Sequence, residues 1–337
     1  MVAEQRLKHL DAVSGIYIVW MVYTHCCGFA STGEHNVLWN YMGCFLAWFF
    51  YRGGGVYKPR TLCDTITYGS KKLIRPFVCW SFAAICLDSL LFAIDRTEGL
   101  GYYVDNEIWR TIGSLLINGS AHGNMPVWFL FTYFIVKSLN ALVESKNSRI
   151  LSGIVLTVSI FVPWGLQQFM DVRYPYYLSN TCIGLAVFMI GRMFNDATIG
   201  ATGKMAKGVI VALTTLIFIT VQLIYPCYYD IRNNTLFEGN YWIWWIWAIA
   251  ACFSISYLFA HCKWLVNVAD KLGLCWAGRN SMAILCIHWP ILVIVDFIRR
   301  TIPLGIPQNL LLLYYVGLCF FLGVPAFCLL KKMRLIH

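Results

Sequence analysis

Two histidines, His25 and His288, interrupt stretches that are otherwise apolar. Imidazole titrates near neutral pH, so such a pair suits general acid or base work. The plainer alternative is a neutral imidazole hydrogen-bonded to a neighbouring helix. Position favours chemistry. His25 falls slightly beyond the middle of the stretch 12–31, and His288 near the middle of 280–298. If both stretches cross a bilayer in the same direction, the two rings lie at similar depth. Ser281, seven residues before His288, shares its helical face two turns away; its hydroxyl either meets a ligand or bonds its own backbone. Asp88, Lys137 and Asp296 complete the set of ionisable side chains at membrane depth, where charge is costly and marks candidate sites. The two carboxylates can orient a histidine, bind an acceptor sugar, or simply sit at the interface. Lys137 can meet an anion, pair with a carboxylate, or snorkel.

These residues need a frame, and composition supplies one. Of 337 residues, 59% are hydrophobic and 12% charged, against about 25% charged in ordinary soluble domains. Mean hydropathy is +0.64. Disorder, collagen and most soluble folds are excluded. About ten stretches are long and apolar enough to span: 12–31, 37–55, 74–94, 127–146, 150–169, 178–194, 209–227, 241–261, 280–298 and 310–330. With the N-terminus inside, the outer segments hold only Arg96, Arg110, Arg173, Arg232, Arg299 and Arg300 of the 26 Lys and Arg. That asymmetry supports an even number of helices with both termini cytoplasmic. The net charge of +10 is therefore charge sorting across a membrane, not a nucleic-acid patch. The sequence predicts an all-α polytopic membrane protein, one domain over 1–337. It has a long outer loop at about 95–126, whose piece Ile108–Ile117 is too short to span, and a basic cytoplasmic loop at about 56–73. The first stretch resembles a signal peptide, but Asp11, Ser14 and His25 within it fit a retained helix better. The 14 cysteines form no CxxC pair and read as small buried hydrophobes, with no metal site and no disulfide framework.

Two basic motifs flank the loop at 56–73. Arg52-Gly53-Gly54-Gly55 ends the second stretch. Its glycines either present N–H groups to an anion or permit tight packing. Lys71-Lys72-Leu73-Ile74-Arg75-Pro76 opens the third, with Pro76 in a helix's first turn. Lys72 and Arg75, three apart, share a face and with Lys58 and Lys71 suit a polyphosphate. Charge alone favours ordinary positive-inside anchoring.

The order of these motifs resembles the acyltransferase-3 family of integral membrane acyltransferases. The resemblance runs from Leu10-Asp11-Ala12-Val13-Ser14-Gly15 and His25 through Phe49-Phe50-Tyr51-Arg52-Gly53-Gly54 and Lys71–Pro76. It continues through Val127-Trp128-Phe129-Leu130 to Gly278-Arg279-Asn280-Ser281 before His288, nearly the whole chain. It implies about ten helices, a cytoplasmic acyl-coenzyme A donor, most simply acetyl-CoA, and O-acylation of a cell-surface glycan or its lipid-linked precursor in a bacterial inner membrane. It makes His25 the catalytic residue, with Ser281 and His288 assisting. It places coenzyme A phosphates on Lys72 and Arg75, with Lys71 nearby. One departure is Ser14, which stands where many members carry Arg or Lys; either another cation, Arg52 or Lys58, replaces that charge, or donor binding differs. The pantetheine arm would bring the thioester to His25 for direct transfer, or for an acyl relay outward. The rivals are a glycan or lipid flippase, and a family member that binds acyl-coenzyme A without turning it over.

Overall fold

The computed structural model describes residues 7–30, 44–94, 119, 120, 122–169, 176–194, 204–302 and 305–332, with Gly113, Leu115 and Ile117 between. The helices in chain order are α1 Lys8–Ala30, α2 Phe45–Gly55, α3 Leu62–Gly69 and α4 Arg75–Ile94, the last two joined by a π turn, Ser70–Ile74. A 3-10 turn, His122–Val127, leads into α5 Trp128–Ser145. Then come α6 Arg149–Phe169, α7 Tyr176–Met193 and α8 Lys204–Ile224. A hairpin of β1 Tyr228–Asp230 and β2 Thr235–Glu238 precedes α9 Tyr241–His261, α10 Lys263–Lys271, α11 Leu274–Arg279, α12 Ser281–Thr301 and α13 Leu311–Lys332.

Helix dominates because a bilayer offers backbone N–H and C=O groups no partner outside their own segment. Among the described residues, seven helical stretches are long and apolar enough to cross a membrane. The sequence expectation of ten also counted 37–55, 178–194 and 209–227; 37–43 lies outside the described residues, and the other two fall on the helices α7 and α8, which are not among the seven. Surface chemistry agrees with a lipid solvent. Along α6, Ile150 is 78% exposed, and Ile154, Val158 and Phe161 follow it on the same helical face at half exposure or more. An apolar stripe turned outward at helical period is what lipid contact requires and what water penalises. The protein is a multi-pass, all-α membrane protein with, among the described residues, one short hairpin.

One expectation changes. Residues 62–73, read as loop, are helical. The start is set by Thr61, whose hydroxyl accepts from the Asp64 N–H at 3.1 Å and so caps the first turn. The segment 262–279, between the stretches 241–261 and 280–298, carries two short helices, α10 and α11. The segment 95–121, expected as an outer loop covering an acceptor site with Trp109 and His122, lies mostly outside the described residues, as does the His122 side chain.

The chain divides into two compact units. The first holds residues 1–22, 36–58 and 184–281. Its helices approach through glycine. A Cβ on Gly15 would lie 1.8 Å from the Leu274 carbonyl oxygen, and one on Gly278 1.8 Å from that of Asp11, so α1 and α11 touch backbone to backbone. Gly54 likewise meets Phe188, and Gly191 meets Tyr51, where α2 crosses α7. Small residues at such crossings are how helices pack in lipid. Within the glycine run at 53–55, Gly54 thus provides close packing. Adding a methyl at Gly191 puts it 2.1 Å from the Tyr51 carbonyl oxygen, an overlap no rotamer relieves. Gly191→Ala is therefore expected to destabilise by about 1–3 kcal/mol or more. Gly153→Ala, with open space around it, is the neutral control in thermal unfolding of detergent-solubilised protein.

The second unit holds residues 23–35, 59–183 and 282–337. Leu91 of α4 and Val293 of α12 pack together with Phe29, Leu87, Trp289 and Phe297 around them. Gly69 of α3 seats against the Phe134 ring of α5, and Thr132 of α5 donates to Asn180 of α7 at 3.0 Å. Both candidate histidines lie in this unit.

Candidate active site

His25 and His288 meet. Nδ1 of His25 lies 2.8 Å from Nε2 of His288, with the rings 6° from parallel. Nδ1 of His288 is in turn 2.9 Å from the Ile284 carbonyl oxygen. A carbonyl only accepts, so His288 carries its proton on Nδ1 and presents a lone pair at Nε2. That lone pair needs a donor, and the donor is the His25 Nδ1–H. Neutral His25 is then left with its basic lone pair on Nε2. One backbone carbonyl thereby fixes both tautomers in series, and His25 becomes the group poised to take a proton.

The surroundings hold this pair still. His288 is buried and His25 half-buried. The Trp289 ring stands edge-on to His25 at 5.0 Å, and Phe29 packs against the same indole. The matching depth read from the sequence becomes direct contact.

Two carboxylates near α12 take separate tasks. Asp88 of α4 accepts the Gly123 N–H at 2.8 Å, fixing the 3-10 turn against α4. Asp296 accepts from the Tyr315 hydroxyl at 2.6 Å and pairs with Arg299 and Arg300 at 3.2 and 2.8 Å. Asp296 therefore ties α12 to α13. Lys137 stands over the rings of Tyr68 and Tyr133, and the Arg60 guanidinium lies over the Tyr68 ring at 4.4 Å from its centroid.

The basic candidates separate by environment. Lys71 and Lys72 lie on the π turn and Arg75 opens α4; all three are exposed. No ion-pair partner faces them among the described residues. Charges that no carboxylate neutralises are what a phosphate-rich ligand needs. A π turn is a local insertion that helices often carry at functional sites. Lys58 is exposed in the first unit. Arg52 differs: its guanidinium binds the buried Asp11 carboxylate at 3.0 Å. Ser14 is fully buried; its hydroxyl donates to the Leu10 carbonyl at 2.8 Å and accepts from the Trp48 indole N–H at 3.2 Å. Ser281 opens the helix that carries His288 and is half-buried. No three His, Cys, Asp or Glu side chains among the described residues converge as metal ligands would.

A family model described as an acyltransferase domain, Acyl_transf_3, matches residues 7–330. The chain belongs to the acyltransferase-3 family. No match is found among curated proteins or among solved structures. Family membership makes this a membrane acyltransferase, with an acyl donor and an acyl acceptor as its substrates. The sequence reading missed Asp11 as the partner of Arg52, although a carboxylate at the mouth of an apolar stretch calls for a cation. It also missed Asn124, which is fully buried beside α12. A lone asparagine between spanning stretches gives no period or spacing to detect.

Proposed function

We propose that this acyltransferase-3 protein is an O-acyltransferase of a bacterial inner membrane. It moves an acyl group, most simply acetyl, from coenzyme A to a hydroxyl of a cell-envelope polysaccharide or its lipid-linked precursor. The observation that carries this reading is the His25–His288 hydrogen bond with both tautomers set by the Ile284 carbonyl. His25 Nε2 accepts the proton of the acceptor hydroxyl as its oxygen attacks the thioester carbon. The resulting imidazolium is held by its Nδ1–H to His288, and returns a proton to the departing thiolate. Proton, acyl group and leaving group balance without a further reactant. His288 orients and stabilises.

Lys71, Lys72 and Arg75 are the groups for the donor's phosphates, since they are exposed cations that no carboxylate among the described residues pairs. Asp11 balances Arg52, and Ser14 serves Trp48, so neither is assigned to the donor. Ser281 and Lys58 keep a supporting role at the cytoplasmic side.

The test is turnover by purified full-length protein in nanodiscs. Acetyl-CoA should release free thiol, faster when acceptor glycan is added. A flippase or a silent binder would release none, and that result would overturn the assignment.

A further inference from the structure

Pro290 lies two residues beyond His288, inside α12. Proline has no N–H, so the carbonyl four residues earlier loses its helical partner. That carbonyl belongs to Cys286, two residues before His288. A side chain from another segment takes the place of the missing donor: Asn124 Nδ2 bonds the Cys286 oxygen at 2.8 Å. Asn124 is itself fully buried, and its turn is fastened to α4 through Gly123 N–H and Asp88. A Cβ on Gly123 would fall 2.7 Å from the Ala84 carbonyl and from the Asp88 carboxylate, so the turn has no room to shift.

We propose that Asn124 is a positioning residue for the histidine pair. By reaching the Cys286 carbonyl that Pro290 leaves open, it ties the interrupted turn of α12 to the Gly123 turn and so to α4. The imidazole of His288 is then held in register with His25. The chain of contacts runs from Asp88 to Gly123, from Asn124 to the Cys286 carbonyl, and through two residues of backbone to His288. This rests on the reading of His25 as the base, and assigns to the outer segment a share in building the site. Buried polar groups without partners are costly, so removal of the amide cannot pass unnoticed by the helix.

The experiment compares Asn124→Leu with Asn124→Leu combined with Pro290→Ala. The single variant strips the donor from the Cys286 carbonyl. Its kcat should fall roughly 10–100-fold, as small misplacement of catalytic groups does, with KM for acetyl-CoA unchanged. Spectra of 15N-histidine-labelled protein should show the Nδ1–H tautomer for His25 and His288 in wild type and lose it in the variant. The double variant returns a backbone N–H to the same carbonyl. It should regain the wild-type Tm but neither the kcat nor the tautomer signature. Recovery of all three would show that Asn124 only satisfies a carbonyl, and would overturn the proposal. So would a single variant with wild-type kcat and spectrum. If the single variant does not fold, the double variant carries the test alone. The spectra read the pair without turnover. A wild type that shows the tautomers but no thiol release would therefore refute the enzymatic reading while leaving this contact tested on its own.

Discussion

Replacing His25 with alanine is expected to lower acyl transfer about 10²–10⁴-fold, the range supplied by a positioned general base. The defect should lie in kcat. His25 is far along α1 from the helix start at Lys8, about 26 Å at 1.5 Å per residue, whereas the exposed cations proposed for the donor lie on another helix. Donor affinity should stay within about twofold, because the proposed phosphate contacts are charge-assisted and independent of the imidazole. The variant leaves the His288 Nε2 without its donor, and an unpaired buried acceptor costs about 1–3 kcal/mol. A modest fall in Tm is therefore expected alongside the large fall in rate. The decisive comparison is thiol release per mole of folded protein that still binds acetyl-CoA. A His25→Ala protein that binds donor and acylates at the wild-type rate would remove the base from the mechanism.

Much of this arrangement was open to reading in the sequence, for reasons that differ from residue to residue. The spanning helices are legible because lipid demands long apolar runs, and α6 follows its stretch almost residue for residue. The histidine pair was foreshadowed by depth alone: two rings on helices of the same direction. That they touch through Nδ1 and Nε2 was not, because contact depends on helix rotation and crossing, which no spacing rule fixes. The helix through 62–73 was hidden by Asp64, Lys71 and Lys72, which lower hydropathy below that of a span. A local signal was nevertheless present in Thr61 followed three residues later by Asp64, a capping pattern. The glycine run at 53–55 left two meanings open, and only the opposed Phe188 and Arg192 backbone decides for packing. Ser14 stands in a motif and invites a ligand role, yet its hydroxyl is enclosed by Leu10 and Trp48. A motif position thus says where a family constrains its chain, and burial says what for.

Removing both Lys72 and Arg75 should raise KM for acetyl-CoA roughly 100-fold, about tenfold for each, since a hydrogen bond to a charged group is worth about 1.5–3 kcal/mol and exposure reduces it. At saturating donor, kcat should be nearly unchanged. The reasoning is geometric as well as electrostatic. Arg75 opens α4 and Asp88 lies thirteen residues along it, about 20 Å. Asp88 touches the turn that touches α12 beside His288. Cations and imidazoles are therefore separated within one unit by a length that only an extended substrate can bridge. A compact acyl donor would have no use for phosphate contacts so far from the reacting atoms, whereas coenzyme A carries its phosphates at one end and its thioester at the other. Two further signs distinguish binding from anchoring. The KM of wild type should rise with ionic strength, as screening weakens exposed charges, and that slope should flatten in the double variant. Arg75→Lys should recover part of the affinity, keeping the charge but losing the bidentate fork. If KM stays at the wild-type value in Lys72→Ala plus Arg75→Ala, and only membrane insertion suffers, these residues anchor the helix and the donor's phosphates bind elsewhere.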